Sequence, residues 1–366
     1  METARAKNVP GGGGGGSGRG GGGGECVLAI SLGDALGIGP EVTAKALADL
    51  PEGLEARVFG DVARLRRVAG AVGLGRRLDE LEAGGRVRLE AVGPAVPEGG
   101  DEVPPGDDAR AGAASYAAVL RAVEAVKRGE ADALVTAPIS KAAWRLAGIT
   151  YPGHTELLAD QFASPESGML FVGPSLCVIL VTIHIPLREV PTAVTPARVL
   201  TAIRLAERAA RTLGRTGPDG RPRIAVAGIN PHAGEGGLFG QEDALLVAPA
   251  VAEAQAQGLN VVGPVPGDAV FTQAIKPDRQ RGTPRTHDVV VAMYHDQGLI
   301  AMKLLDRERT INVTVGLRHQ GRAVVRTSPA HGTAFDIAGW ALRGEGRADA
   351  TSMLEACVLA TRLAKP

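Results

Sequence analysis

The stretch VVVAMYHDQG, Val289 to Gly298, decides how the chain is read. Five apolar residues run into Tyr294 and then, with no turn residue between, into His295 and Asp296. A short apolar run rich in β-branched residues reads as a strand buried on both faces, the kind found in parallel sheets covered by helices. The same ending occurs twice more, where VILVTIH delivers His184 and IAVAGINPH delivers His232. Between such runs lie alanine-rich stretches of helical period. In ASYAAVLRAVEAVKRGEADALVTAPISK, residues Tyr116, Val119, Leu120, Val123 and Val126 recur at helical spacing, Gly129 is a C-cap and ALVTA is the next strand. Further helices are predicted from about Pro196 to Leu213 and around Ala244 to Gln257. Strand and helix alternate, so the fold class is α/β with a largely parallel sheet.

The chain has 366 residues, enough for two domains, because single cores stop growing near about 250 to 300 residues. Lys plus Arg and Asp plus Glu both number 40, and no block of like charge points to nucleic acid, so the expected partner is a small molecule. Cys26, Cys177 and Cys357 lie far apart with no C-x-x-C, which fits small core residues in a reducing cytoplasm. The longest apolar run, LCVILVTI from Leu176 to Ile183, is far short of the roughly 20 residues that span a bilayer. Residues 1–24 are dominated by glycine and read as a disordered tail. Gly93 to Asp108 and Thr212 to Arg223 read as surface excursions.

His184, His232 and His295 each fall just beyond the carboxyl end of a strand, where ligands bind in open α/β sheets. Three imidazoles converging there, with a fourth position open, make a catalytic divalent-metal site, most naturally zinc. A single histidine after a strand is more often a hydrogen-bonded loop residue, and Asp296 and Glu235 read as solvated loop charges. SLGDALGIGPEV puts Gly33, Gly37 and Gly39 in a tight strand-to-helix turn with Pro40 in the first helical turn, without G-x-G-x-x-G spacing. SPAHGTAFDIAGW is a glycine-bearing loop whose His331 and Asp336 suit either a nucleotide or a helix cap. Lys303, Asn312 in TINVTV and Arg326 at the end of AVVR are candidates for holding an anionic substrate.

In their order and spacing, VTAPISKAAWRLAGITYPGHTE, TIHIPLRE, GINPHAGEGG, AMYHDQGL and RTSPAHGTAFDIAG resemble the 4-hydroxythreonine-4-phosphate dehydrogenase family of pyridoxal phosphate biosynthesis. The likeness runs from about Cys26 to the C-terminus, and GDALGIGPE and HGTAFDIAG also look like the wider isocitrate and isopropylmalate dehydrogenase superfamily. The resemblance implies two α/β/α domains with the active site in the cleft between them. Residues 25–150 with 320–366 would form one, with the nucleotide loop, and 151–319 the other, with metal ligands and dimer interface. It implies that His184, His232 and His295 bind a divalent metal (Zn, Mg or Co), and that His154, Thr155, Lys303, Asn312 and Arg326 contact substrate. His331 and Asp336 would contact NAD or NADP, and a homodimer would share the active site between its partners.

The implied reaction is oxidation of 4-phosphooxy-L-threonine at C3 followed by decarboxylation to 3-amino-2-oxopropyl phosphate. The chain departs from the family at Arg318 to Val324, which looks expanded, and at Ala330, where aspartate is common. His319 in the expansion reads as a solvated loop residue, and the spacing from Asn312 to Arg326 is altered. These departures keep open a related substrate, phosphorylated threonate or a dihydrodiol carboxylate. A zinc hydrolase using the histidine trio, or a non-catalytic metal-binding protein, are the readings from other classes.

Overall fold

The computed structural model describes residues 26–96, 108–280, 282–338 and 346–364. The expected tail, residues 1–24, lies outside the described residues, as do part of the Gly93 to Asp108 stretch and Trp340 of the glycine-bearing loop. The architecture is mixed α/β: one eleven-stranded sheet flanked by helices. In chain order the strands are β1 Cys26–Ser31, β2 Leu54–Gly60, β3 Val87–Ala91, β4 Ala133–Thr136, β5 Gly168–Val172, β6 Cys177–Leu180, β7 Ile224–Ala227 and β8 Val261–Val265. They continue with β9 Val289–Ala292, β10 Ile311–Val315, β11 Arg318–His319, β12 Arg322–Ala323 and β13 Arg326–Pro329. The sheet order is β3-β2-β1-β4-β13-β10-β5-β6-β9-β7-β8, and β11 and β12 form a separate hairpin.

Two parallel blocks make up most of this sheet, β3-β2-β1-β4-β13 and β6-β9-β7-β8. Between them β10 and β5 pair antiparallel with each other and with their outer neighbours β13 and β6. The two blocks therefore run in opposite directions, and the strip that joins them belongs to neither. The predicted parallel character holds within each block. The antiparallel strip depends on pairings between distant segments, such as Asn312 with Phe171 and with Ser328, which no local pattern encodes.

Alternation along this strip separates core from site. Leu170, Val172, Ile311 and Val313 point into a core shared with Ile203 and Ala206 of helix Pro196–Thr212 and with Met353, Ala356 and Cys357 of helix Thr351–Ala364. Leu170 is fully buried, and truncating such a side chain to alanine costs about 2 to 5 kcal/mol. Met169, Phe171, Asn312, Thr314, Arg326 and Ser328 take the other face, because successive side chains of a strand alternate. The three cysteines are free and buried, as expected. No helix among the described residues is long and apolar enough to cross a membrane.

Candidate active site

The site-side face of the central strip floors a cavity of about 290 Å³. Met169 and Phe171 of β5, Asn312 of β10 and Arg326 and Ser328 of β13 line it from below. Thr136 to Ile139 follow β4 along one side, His184 and His295 close the side beyond β6 and β9, and Ala330 to Gly332 follow β13.

Arg326 is almost wholly buried, yet no carboxylate touches it. Its Nε and Nη2 donate to Thr136 Oγ1 at 3.1 and 2.7 Å, and its Nη1 donates to Thr314 Oγ1 at 3.2 Å. Burial pushes the guanidinium down to about 9, with Glu156 acting in the opposite direction, so it remains charged at neutral pH. Two neutral hydroxyls do not neutralise a buried cation, and an anion in the cavity would. Asn312 contributes an Oδ1 that is buried and without a hydrogen-bond partner. The hairpin β11–β12 accommodates the expanded Arg318 to Val324 segment while β10 and β13 stay in register, Thr314 opposite Arg326. The altered spacing therefore leaves Asn312 and Arg326 in one cavity. His319 is not a solvated loop residue: it is partly buried in that hairpin, its ring 6.2 Å from that of Phe162.

His154 begins helix His154–Gln161 and also faces the cavity. Its ring meets Trp144 edge-on at 5.7 Å, and Trp144 is itself fixed by a 2.8 Å hydrogen bond from Nε1 to Ser115 Oγ. Burial, then the positive charges of Arg326 and Lys141, hold the imidazole well below its usual pKa, so it is neutral, and its Nε2 has no partner. Thr155, one residue on, is buried and does not line the cavity.

Burial also lowers the His184 pKa, with Lys141 adding to the effect and Glu156 opposing it. The rings of His184 and His295 stand 5.6 Å apart. His295 Nδ1 lies 2.6 Å from Asp296 Oδ1, which fixes the ring and leaves Nε2 for a ligand. Asp296 is thus not merely a solvated charge, because it orients an imidazole. Gly298 in the same turn has no side chain because a Cβ there would come within 2.7 Å of Val178, so helix His295–Asp306 can seat directly on β6.

His232 does not join the other two. Residues His232 to Gly236 all have positive φ, and this winding leaves His232 exposed at the surface, 6.1 Å from the ring of Phe239. Among the described residues no group of three or more His, Cys, Asp or Glu side chains could hold a metal ion. Two neutral-capable imidazoles beside an open cavity fit a divalent metal, but one chain supplies one ligand fewer than the three a catalytic site takes from protein. Lys303 and His331 line the cavity and Asp336 lies outside it, exposed. Lys141 was missed from sequence. It lines the cavity, and a lone lysine after a strand carries no local signal.

The family model described as "Pyridoxal phosphate biosynthetic protein PdxA" matches residues 58–360. The chain belongs to that family. A 4-hydroxythreonine-4-phosphate dehydrogenase of Beijerinckia indica is 42% identical, over 93% of this chain and 95% of that one. A D-threonate 4-phosphate dehydrogenase of Salmonella typhimurium is likewise 42% identical, over 92% of this chain and 98% of its own. The crystal structure of a 4-hydroxythreonine-4-phosphate dehydrogenase from Klebsiella pneumoniae superposes with a TM-score of 0.72 at 37% identity, covering 93% of this chain and all of that one. This member of the PdxA family is an enzyme of the dehydrogenase class.

Proposed function

We propose that the enzyme oxidises the C3 hydroxyl of a four-carbon 4-phosphorylated acid, 4-phosphooxy-L-threonine or its 2-hydroxy counterpart, with NAD or NADP, and that decarboxylation follows. The former substrate would give 3-amino-2-oxopropyl phosphate for pyridoxal phosphate synthesis in the cytoplasm. One observation carries the reading: two facing imidazoles, His184 and His295, border the same cavity as an uncompensated buried guanidinium, Arg326.

His184 and His295 would hold a divalent metal, zinc, magnesium or cobalt, with His232 of a second copy as third ligand. A metal so held supplies Lewis-acid polarisation of the substrate hydroxyl and of the carbonyl it becomes. Arg326 binds one substrate anion through its free donor capacity, Lys303 a second, and Asn312 Oδ1 accepts from a hydroxyl or amino group. Neutral His154 offers Nε2 to substrate without adding charge. Met169, Phe171 and Leu299 exclude water, which strengthens each of these contacts. Hydride passes from C3 to the nicotinamide while the hydroxyl loses its proton, and the bond to the carboxyl group then breaks to release carbon dioxide. His331 and Gly332 at the cavity rim, with Asp336 beyond it, are assigned to the nucleotide side.

A homodimer is supported by exposed apolar residues on the segments that carry His232 and His295: Leu238 at 74% and Phe239 at 47% after His232, and Ile300 at 61% with Leu304 at 81% on helix His295–Asp306. Under this reading residues 25–150 with 320–366 and residues 151–319 are two α/β units joined through the common sheet. The test is reduction of NAD and NADP by the purified protein with each phosphorylated acid, with and without added metal. Turnover abolished by chelator and restored by zinc, magnesium or cobalt is expected; cofactor-independent hydrolysis of either compound would overturn the reading.

A further inference from the structure

The three strand ends that carry the candidate metal ligands are joined by a short chain of polar contacts. β6, β9 and β7 are neighbours in the sheet, and beyond them lie Thr182, Met293 and Gly228, each shortly before its histidine, His184, His295 and His232. Thr182 donates both its N–H and its hydroxyl to Met293 O, at 3.1 and 2.7 Å, which fastens the end of β6 to the end of β9. Pairing of β9 with β7 ends at Val291 with Val226, short of Met293 and Gly228. The side-chain amide of Gln297 spans that place. Its Oε1 accepts from Met293 N–H at 2.7 Å, and its Nε2 donates to Gly228 O at 2.7 Å. A donor on one side and an acceptor on the other fix which way the amide points. Gly267, at the start of helix Gly267–Ile275, leaves room for it, since a Cβ there would stand 3.0 Å from Nε2. Just past Gly228 the backbone is gripped again by buried Asp243, whose two oxygens accept from Ile229 N–H at 2.7 Å and from Asn230 N–H at 3.0 Å. The left-handed residues from His232 onward start from this anchorage, and such backbone persists where its surroundings hold it.

Gln297 lies in the first turn of helix His295–Asp306, where a side chain that reaches back to a preceding N–H caps the helix. Capping accounts for the bond from Met293 but not for the bond to Gly228, 69 residues away in sequence. Resting on the shared-metal reading above, we infer that Gln297 is a positioning residue for two sites at once. Through Met293 it sets His295 in the site of its own chain, and through Gly228 it sets His232, which that chain lends to the site of its partner. The amide bonds to backbone and not to either imidazole, so it acts on the metal by holding two ligand-bearing segments at a fixed spacing. Groups one step removed from a metal ligand change metal affinity or activity by roughly ten to a hundredfold when they are lost.

The experiment measures zinc affinity, by competition with a chelating dye, in a purified heterodimer of full-length chains. His184→Ala in one chain and His232→Ala in the other leave one complete site, built from His184 and His295 of the second chain and His232 of the first. The first chain is then only a lender, and Gln297→Met is added to it alone. Zinc affinity of the complete site is expected to fall by roughly tenfold, because in the lending chain Gln297 reaches that site only through Gly228 and His232. Gln297→Glu in the same chain keeps an acceptor for Met293 N–H and loses the donor to Gly228 O, so it should produce a loss of similar size. It also stands in for Gln297→Met if that variant does not fold. A merely structural role would lower the melting temperature of the metal-free heterodimer and leave the zinc affinity of a site built mainly by the other chain where it was. Unchanged affinity with both substitutions would therefore reduce Gln297 to a helix cap and overturn the inference alone. A heterodimer with Gln297 intact that binds no zinc tightly would overturn the shared site, and this inference with it.

Discussion

The cavity floor and the segment that carries His232 both set a polar side chain beside a strand, and they do so in opposite ways. On the floor, Arg326 and Asn312 stand on paired strands, in register with Thr314 and Ser328; Ile311 and Val313 of β10 sit in the core, and buried Thr327 of β13 donates its hydroxyl to Ala356 O. Their positions are settled by the fold of one chain. His232 stands on five successive residues of left-handed backbone, exposed, beside Leu238 and Phe239, which are also exposed. Left-handed conformations of residues other than glycine cost about 1 to 3 kcal/mol each and persist where surroundings fix them. On the proposed reading, chemistry built on the floor is complete within a chain, whereas the 231–237 segment would act in the site of a second copy.

Mixing two dead variants makes the sharpest attempt to break that contrast. His184→Ala and His232→Ala are each expected to fold and to lose metal and turnover, since neither side chain is in a core. If His232 serves the partner's site, a heterodimer of the two has one site lacking both histidines and one site with all ligands. Half the dimers in an equal, fully exchanged mixture are heterodimers with one of two sites intact, so about a quarter of parental activity should return. Activity that stays at background after subunit exchange, with heterodimers verified by mass, would place all the metal ligands within one chain or remove His232 from the set.

On the floor, Arg326→Lys keeps the charge and loses the planar fork that reaches Thr136 and Thr314. The Michaelis constant for the phosphorylated acid should rise by roughly ten to a hundredfold, and that for the nicotinamide should hardly move. Because Arg326 would share its chain with His184 and His295, mixing Arg326→Lys with His232→Ala should, like the first mixture, return about a quarter of parental activity at the parental Michaelis constant. An unchanged Michaelis constant at unchanged turnover would take Arg326 out of the substrate site.

Much of this contrast was legible in the sequence, and its limits have physical causes. β6, β7 and β9 announce themselves as short β-branched runs, and His184 and His295 follow them at a strand end as read. What a strand-end position does not encode is direction: His232 shares the position, but its backbone winding turns it outward. The antiparallel strip was not legible, because β5 and β10 are separated by more than a hundred residues and pair only in the folded sheet. The expanded Arg318 to Val324 segment looked able to displace Arg326; as a hairpin turning at Gln320 and Gly321 it adds length without shifting register. Lys141 and the partnering of Asp296 with His295 became visible only with three-dimensional neighbours in place.

The smallest expected effect concerns the support behind the floor rather than the floor itself. Asp34 lies in the turn between β1 and helix Gly39–Ala48, where its N–H donates to Pro138 O, behind the wall residues that follow β4. The preceding Gly33 has φ +69°, and a Cβ there would fall 2.2 Å from the same Pro138 oxygen, so the turn is pressed directly against the wall. Asp34 is fully buried. Its Oδ1 accepts from Leu36 N–H at 2.9 Å while Oδ2 has no partner. Burial pushes its pKa from 3.8 up to about 6, with the charge of Asp108 adding to the rise and the N–H groups of Leu36 and Gly37 opposing it. A carboxyl whose pKa is higher folded than unfolded binds its proton more tightly in the folded state, so its contribution destabilises as pH rises. The penalty is absent below 3.8, grows between 3.8 and about 6, and is complete above that, at about 3 kcal/mol as an upper limit. Asp34→Asn should therefore raise the melting temperature at about pH 8 and give little or no gain at about pH 3, with catalytic constants near parental because the side chain does not line the cavity. A stabilisation of equal size at both pH values would mean that shape, not charge, limits this turn, and a large loss of turnover would mean that the turn acts on the chemistry through Pro138.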